Sequence, residues 1–316
     1  MSVLHLAMPV GAVSLGWAMG CSRQGAAHQR SDTPCQDAYA FWSGAVSGTP
    51  CLIAAVADGH GDARHDRSHR GAALAVHVAV EVARDFAFHG SSDTALAALK
   101  HDFKEHFPRK LGQRWHEAVR DDVRKQGDTM DGDGYSLESL FPRYGTTLLV
   151  TLVVPGALLV GQIGDGDILL VNLADDTCVP LLRRPATLLG METHSLCSSD
   201  APHLWQIDMM EHPPKGGMLL LATDGLADAL GADEGALSGF ARSLDQRLKE
   251  YGPRAVETAL PSWLDHYSAH GSGDDMTLAI VWLDSTLPLP SKSPATHEET
   301  AHEPGARATG DSRSAR

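Results

Sequence analysis

The segment from residue 146 to residue 182 consists of apolar runs joined by very short connections. Parallel neighbours in a sheet need a crossover of about a dozen residues or more, whereas antiparallel neighbours need only a tight turn. The sequence therefore predicts antiparallel strands here and disfavours a doubly wound parallel sheet. The predicted strands are 146–154, 157–163, 167–173 and 178–182, with Pro155-Gly156 and residues 174–177 as turns.

Helical patterns occur on both sides of this block. Leu74, Val78, Val82 and Phe86 recur at a helical spacing, and a second stripe extends from Leu96 to Val123. Strands and helices in this order predict an α+β protein in which helices cover antiparallel sheets. The other predicted strands are 12–20, 38–43, 50–57, 205–211, 218–223 and 277–283, and the other predicted helices are 68–88, 233–250 and 254–268.

The chain has 316 residues, of which 43% are hydrophobic, enough for a sizeable core. We predict an N-terminal extension at 1–11, one domain at 12–284 and a disordered tail at 285–316 that is poor in large apolar residues. The N-terminus lacks the basic region of a signal peptide, and no run of 18 apolar residues predicts a transmembrane helix.

The net charge limits the kinds of partner that the chain can bind, and the cysteine content limits the kinds of site that it can form. Lys and Arg total 26 against 40 Asp and Glu, a formal net charge of −14, which argues against nucleic acid and anionic membranes as partners. The five cysteines are odd in number and lack CxxC spacing, so neither a disulfide framework nor a zinc site is predicted. We expect a cytoplasmic protein, and a monomer by default.

Four apolar segments adjoin an aspartate, namely Asp58, Asp165, Asp224 and Asp274. A carboxylate at the end of a buried strand is costly unless a cation or several hydrogen bonds compensate it. A single Asp-Gly is more simply a tight turn, but four such strand ends favour shared metal ions. Oxygen ligands without clustered Cys or His point to Mg²⁺ or Mn²⁺.

Six short motifs occur in a fixed order along the chain: Gln36-Asp37, Asp58-Gly-His-Gly61, Gly145-Thr-Thr147, Gly164-Asp-Gly-Asp167, Ala222-Thr-Asp-Gly-Leu-Ala-Asp228 and Gly273-Asp-Asp-Met-Thr277. Their order and spacing together resemble the metal-dependent Ser/Thr protein phosphatases of the 2C type, in a bacterial-like variant, over residues 12–284. The resemblance implies a four-layer αββα sandwich, two antiparallel sheets flanked by helices, with a dinuclear Mn²⁺ or Mg²⁺ centre at one edge.

By this resemblance, Asp58 looks like the ligand that bridges both metals, and Gly59 would contribute its carbonyl oxygen. Asp224 and Asp274 look like the remaining ligands of the first metal, and Asp37 would act through water.

Two further roles have alternatives. Asp165 and Asp228 match positions that hold a third metal in many members, although Asp228 is also a suitable helix cap. His60 matches the general acid that protonates the leaving seryl or threonyl oxygen. Outside this motif, a turn histidine bonded to a carboxylate would be the simpler interpretation.

The chain departs from the family pattern at several positions. Gln36 replaces a Glu, Asp275 replaces an Asn, and Asp32 stands where the eukaryotic members have a phosphate-binding arginine. Arg30 or His28 would then be the phosphate-binding residue. The segment from Arg183 to His203 is expected to shape access to the site.

The predicted function is hydrolysis of phosphoserine or phosphothreonine on a protein, opposing a Ser/Thr kinase in signal transduction, with the kinase or its target as the partner. A catalytically silent module that binds phosphoproteins is the first alternative, because Gln36 and the missing arginine weaken the match. The second is a hydrolase of small phosphoesters with the same metal centre.

Overall fold

A computed structural model of the chain describes residues 15–87, 93–126, 137–172, 175, 177–183, 193–231 and 235–284. The predicted extension at 1–11 and the predicted tail at 285–316 lie outside these residues.

The strands are β1 (Trp17–Arg23), β2 (Ala38–Val46), β3 (Thr49–Ala57), β4 (Leu148–Val154), β5 (Ala157–Ile163), β6 (Asp167–Asn172), β7 (Thr177–Pro180), β8 (Gln206–Glu211), β9 (Met218–Ala222) and β10 (Met276–Trp282). The helices are α1 (Ala26–Ser31), α2 (Ser68–Phe86), α3 (Asp93–Lys125), α4 (Leu137–Arg143), α5 (Ala201–Leu204), α6 (Asp224–Leu230), α7 (Ala236–Tyr251) and α8 (Pro253–His270), with a 3-10 turn at Ala63–His65.

The strands form two five-stranded sheets in which every pairing is antiparallel, as predicted from the short connections. One sheet has the order β1-β10-β9-β6-β7 and the other has the order β2-β3-β4-β5-β8. Residues such as Leu52, Val56, Leu149, Leu219 and Val281 form the apolar layer between the two sheets. The predicted class, α+β with two antiparallel sheets flanked by helices, is confirmed.

Helices cover the outer face of each sheet, which explains why whole strands are buried on both sides. Helices α2 and α3 cover the β3 sheet, and α7 and α8 cover the β10 sheet. All seven residues of β4, β5 and β10 are buried. Such strands read as continuous apolar runs, the pattern of a layer enclosed on both faces.

The long helix α3 spans 33 residues and continues through Pro108. Proline removes a helix hydrogen bond, so only strong packing keeps such a helix continuous. A stripe of fully buried side chains supplies that packing: Leu96, Leu99, Phe103, Phe107, Leu111, Trp115 and Val119.

Some predicted boundaries are wrong. The first strand begins at Trp17 and ends at Arg23, because its partner β10 fixes the register from Trp17↔Trp282 to Arg23↔Met276. Helices α1, α4, α5 and α6 were not predicted, and each has seven residues or fewer. No helix in the described ranges is long and apolar enough to cross a membrane.

Strand ends from both sheets meet at one edge of the sandwich. In one sheet, the end of β3 lies beside the start of β2, since Ala57 pairs with Ala38. In the other, Ala222 at the end of β9 pairs with Asp167 and Leu278 near the starts of β6 and β10. The aspartates that adjoin these strands are thereby brought together.

Candidate active site

The backbone around Asp58 is held by the segment that leads into β4. The Asp58 N–H donates to Thr147 Oγ1 (3.1 Å), while its carbonyl oxygen accepts from the Thr147 N–H and from Thr146 Oγ1, both at 2.8 Å. The next residue must be glycine, because a Cβ on Gly59 would lie 2.7 Å from the Gln36 carbonyl oxygen. The Asp58-Gly59 step is therefore rigidly placed.

A threonine links Asp37 to the helix that begins with Asp224. Asp37 is only 9% exposed, and its Oδ2 accepts from Thr223 Oγ1 at 2.9 Å. Thr223 is the N-cap residue of α6, so Asp224 opens that helix. This contact connects the start of β2 in one sheet with the end of β9 in the other.

The carboxyl groups of Asp58 and Asp224 lie close enough for each to affect the pKa of the other. Burial, followed by the charges of Asp37 and Asp224, raises the pKa of Asp58 well above its usual value. Burial, followed by the charge of Asp165, raises the pKa of Asp224 to about 6. Buried carboxyl groups this close need a shared proton or a cation if they are not both to carry an uncompensated charge.

The donor set consists of carboxylate oxygens, the ligands that hard divalent cations prefer. Burial raises the pKa values of Asp37, Asp58 and Asp224, and the negative charge of Asp274 adds to the rise in each. Among the described residues, no group of three or more His, Cys, Asp or Glu side chains is arranged as a metal site.

Asp274 and Asp275 are neighbours in sequence with different surroundings. Asp274 Oδ1 accepts from the Asp275 N–H at 2.8 Å, and its charge reaches Asp58 and Asp224. Asp275, whose side chain is 3% exposed, instead accepts from the N–H groups of Gly25 and Gln36, each at 2.6 Å. Asp275 thereby holds the backbone of both segments, and after burial its charge is the next cause of the raised pKa of Asp37.

The structure brings Asp165 and Asp228 to the same cluster. The charges of both act on Asp224. Asp165 Oδ2 also accepts from Thr193 Oγ1 at 2.6 Å. Asp228 lies one turn after Asp224 on α6, so both are on the same helix face. The alternative role of Asp228 as the helix cap is wrong, because Thr223 occupies that position.

His60 lies between this cluster and a neighbouring cavity. Its N–H donates to the Gly145 carbonyl oxygen at 3.2 Å, and its ring lies 4.8 Å from that of His65, centroid to centroid. The Nε2 of His60 is buried without a hydrogen-bond partner. Burial, followed by the charge of His65, lowers the pKa of His60 to about 4. The imidazole is therefore neutral at pH 7.

The cavity beside His60 has a volume of about 470 Å³ and is lined by Asp62, Arg64, His65, Thr193 and Ser198, among others. Sequence reasoning missed Arg64 and His65. Their nearness in sequence to the Asp58-Gly-His-Gly61 motif was the available signal.

Of the two predicted phosphate-binding residues, His28 faces inward. Its side chain is 19% exposed and its Nδ1 lies 2.9 Å from Asp275 Oδ1. Arg30 is exposed in the last turn of α1. Neither residue lines the cavity beside His60.

Comparisons with known proteins agree with this architecture. The sequence profile of the family described as protein phosphatase 2C matches residues 24–265. No curated protein matches significantly in sequence.

Among solved structures, a bacterial serine phosphatase aligns with a TM-score of 0.55 and 12% identity, covering 86% of this chain and 99% of that one. PppA, described as a regulatory component of the type VI secretion system in Pseudomonas aeruginosa, aligns with a TM-score of 0.51 and 20% identity, covering 85% and 98%. The Mycobacterium tuberculosis serine/threonine phosphatase PstP aligns with a TM-score of 0.50 and 17% identity, covering 84% and 98%. At these identities the similarity concerns the fold.

Proposed function

Because the chain belongs to the protein phosphatase 2C family, a family of phosphoprotein phosphatases, we propose that it hydrolyses phosphoserine or phosphothreonine at a dinuclear Mn²⁺ or Mg²⁺ centre. The observation that carries this proposal is the buried cluster of Asp37, Asp58 and Asp224, in which burial and neighbouring carboxylates raise every pKa. Bound divalent cations would compensate the buried negative charge.

The residues divide into two groups. Asp58, the Gly59 carbonyl, Asp224 and Asp274 would hold the paired metals, with Asp58 shared by both, and Asp37 would act through water. When bound, paired metal ions lower the pKa of water and stabilise the attacking and leaving oxygens of an in-line displacement. Asp165 and Asp228, whose charges also act on Asp224, would hold a third ion.

His60 is the proposed general acid. Its pKa of about 4 in the free protein means that the ring is neutral before a substrate binds. A dianionic phosphoryl group beside the ring favours the imidazolium form and raises this pKa again. The ring would therefore take up its proton together with the substrate and donate it to the leaving alkoxide.

A specific observation supports the catalytically silent alternative. The Gln36 side chain donates from Nε2 to Ser68 Oγ at 2.7 Å, so an uncharged amide, tied to α2, stands where family members have a carboxylate. The second metal's water shell would then depend on Asp37 alone. Activity measurements separate this alternative from the proposed enzyme.

The test is hydrolysis of a phosphothreonine peptide by the purified chain in EDTA, Mg²⁺ or Mn²⁺, beside Asp58→Asn and Asp224→Asn. We expect turnover that requires added metal and falls by at least about 100-fold in both variants. Asp245→Asn is the matched control, because it neutralises a fully buried carboxyl group on α7. It should retain metal-dependent turnover.

Two outcomes would redirect the proposal. No turnover, with Mn²⁺ still raising the thermal midpoint of the wild type but of neither site variant, would favour the silent module. Faster hydrolysis of a nucleoside monophosphate than of the peptide would favour a small-phosphoester hydrolase.

A further inference from the structure

We propose that the cavity beside His60 is a substrate subsite in which Arg64 binds an acidic side chain next to the phosphorylated residue of the substrate. This inference rests on the proposed phosphatase function and specifies its substrate class. The cavity shares His60 with the catalytic cluster, whereas the carboxylates Asp58 and Asp224 do not line it. The cavity therefore adjoins the carboxylate cluster without containing these two side chains, a position that suits residues flanking the phosphorylated one.

Hydrogen bonds attach one wall of the cavity to the segments that carry the carboxylate cluster. Thr193 bonds to Asp165, and the Ser195 Oγ accepts from the Thr146 N–H at 3.1 Å. The Leu196 N–H donates to the Thr146 carbonyl oxygen at 2.9 Å. Thr146 also holds Asp58, so one short segment positions both the proposed metal ligand and one wall of the cavity. A volume of about 470 Å³ is within the range of small-ligand pockets.

The 3-10 turn brings charge to the cavity. Arg64 belongs to this turn, Ala63–His65, and Asp62 caps it by accepting from the Arg64 N–H at 2.9 Å. Among the described lining residues, Asp62 is the one carboxylate, and this backbone bond already engages it. The guanidinium of Arg64 gives the described lining a permanent positive charge.

The contact between Arg64 and Asp62 is weak enough to be exchanged. Arg64 Nε lies 3.3 Å from Asp62 Oδ1, and the two side chains are 67% and 54% exposed. Exposed pairs of this kind contribute little stability. A guanidinium binds carboxylates most strongly through two parallel N–H donors, and its contact with Asp62 is through Nε.

The charge of Arg64 acts across the cavity. Burial raises the pKa of the Cys197 thiol on the far wall, and Arg64 is among the groups that oppose this rise. The chain as a whole is strongly acidic, with a formal net charge of −14. An acidic substrate residue therefore needs a local cation at its docking point, and Arg64 provides one away from the carboxylate cluster.

The experiment compares three phosphothreonine peptides that carry Glu, Gln or Lys beside the phosphorylated residue. We expect the wild type to prefer the Glu peptide over the Lys peptide by about 10-fold in kcat/KM, as for one partly exposed charge pair. Arg64→Gln should remove this preference and Arg64→Glu should reverse it.

The matched control is Arg114→Gln. Arg114 on α3 is 61% exposed and forms an ion pair with Glu117, also at 3.3 Å, but it does not line the cavity. This variant should keep the wild-type preference. Equal kcat/KM for the Glu and Lys peptides in the wild type, or a preference that survives Arg64→Gln, would overturn the subsite.

A binding measurement separates this inference from the proposed function. Fluorescence anisotropy of the same labelled peptides in EDTA reports docking without turnover. Tighter binding of the Glu peptide that Arg64→Gln abolishes supports the subsite even if no peptide is hydrolysed, in which case only the proposed chemistry fails. Equal binding of all three peptides, with turnover intact, overturns the subsite and leaves the chemistry standing.

Discussion

Replacing Asp275 by Asn should destabilise the chain strongly, although the two side chains have the same shape. The carboxylate accepts on both oxygens: Oδ1 from the Gly25 N–H, with His28 Nδ1 at 2.9 Å, and Oδ2 from the Gln36 N–H. An amide can accept on one side only, so its NH₂ group must face one of these donors.

The magnitude follows from these contacts. One buried backbone N–H loses its acceptor, which costs about 1–3 kcal/mol, and the remaining bonds lose the extra strength of an ionised acceptor, about 1 kcal/mol in all. With a side chain that is only 3% exposed, water cannot compensate. We therefore expect Asp275→Asn to lower the free energy of unfolding by about 2–4 kcal/mol.

Urea denaturation in EDTA measures this loss without a contribution from bound metal. Asp265→Asn is the matched control, since Asp265 bonds to Arg23 through both oxygens but is 40% exposed. Its loss should stay below about 1 kcal/mol. Equal losses in the two variants, or a loss below about 1 kcal/mol for Asp275→Asn, would refute the assignment of Asp275 as the acceptor that holds this loop.

Two further substitutions test buried polar groups outside the site. Burial, partly opposed by Lys249, raises the pKa of Asp245 from 3.8 to about 6, so the native state holds a proton that the unfolded state loses between these pH values. The free energy of unfolding of the wild type should therefore fall as pH rises from about 4 to 6. In urea titrations, the free energy of unfolding of Asp245→Asn should exceed that of the wild type by about 2 kcal/mol at pH 7 but not at pH 3.5. Tyr144→Phe removes a hydroxyl that donates to Asp122 Oδ2 at 2.9 Å, in a side chain that is 0% exposed. We expect a loss of about 1–2 kcal/mol in the same assay, and an unchanged midpoint would contradict this role.

Much of the fold was predictable because burial on both faces leaves a direct trace in the sequence. The runs at β4 and β5 are apolar throughout, and the short turn between them permits only antiparallel pairing. The first strand was placed too early because its end is decided by its partner. Ser22 bonds to Thr277 and Arg23 to Asp265, and these contacts hold polar residues in a strand that hydrophobicity alone would have ended sooner.

The short helices left no comparable trace. Helix α1 has six residues and none of them is buried, so it shows no apolar stripe from which to predict it. Helix α6 has seven residues, and its sequence begins with the Asp224-Gly225 pair that is equally typical of a turn. At Gly225, a Cβ would lie 2.2 Å from the Asp275 carbonyl oxygen, so close packing against the start of β10 selects glycine there.

The candidate site shows which part of a function a sequence pattern can supply. The strand-end pattern pointed to Asp58, Asp165, Asp224 and Asp274, because the cost of burying charge applies to each of them separately. Asp37 was named only through the family resemblance. The different contacts of Asp274 and Asp275 depend on where each side chain points, which the sequence pattern does not show. Asp275 accepts from the N–H groups of Gly25 and Gln36 and so orders the segment that leads to Asp37. Asp275, which departs from the family pattern, thus supports the site by holding the backbone. The effect of replacing it should therefore be measured first on stability and only afterwards on activity.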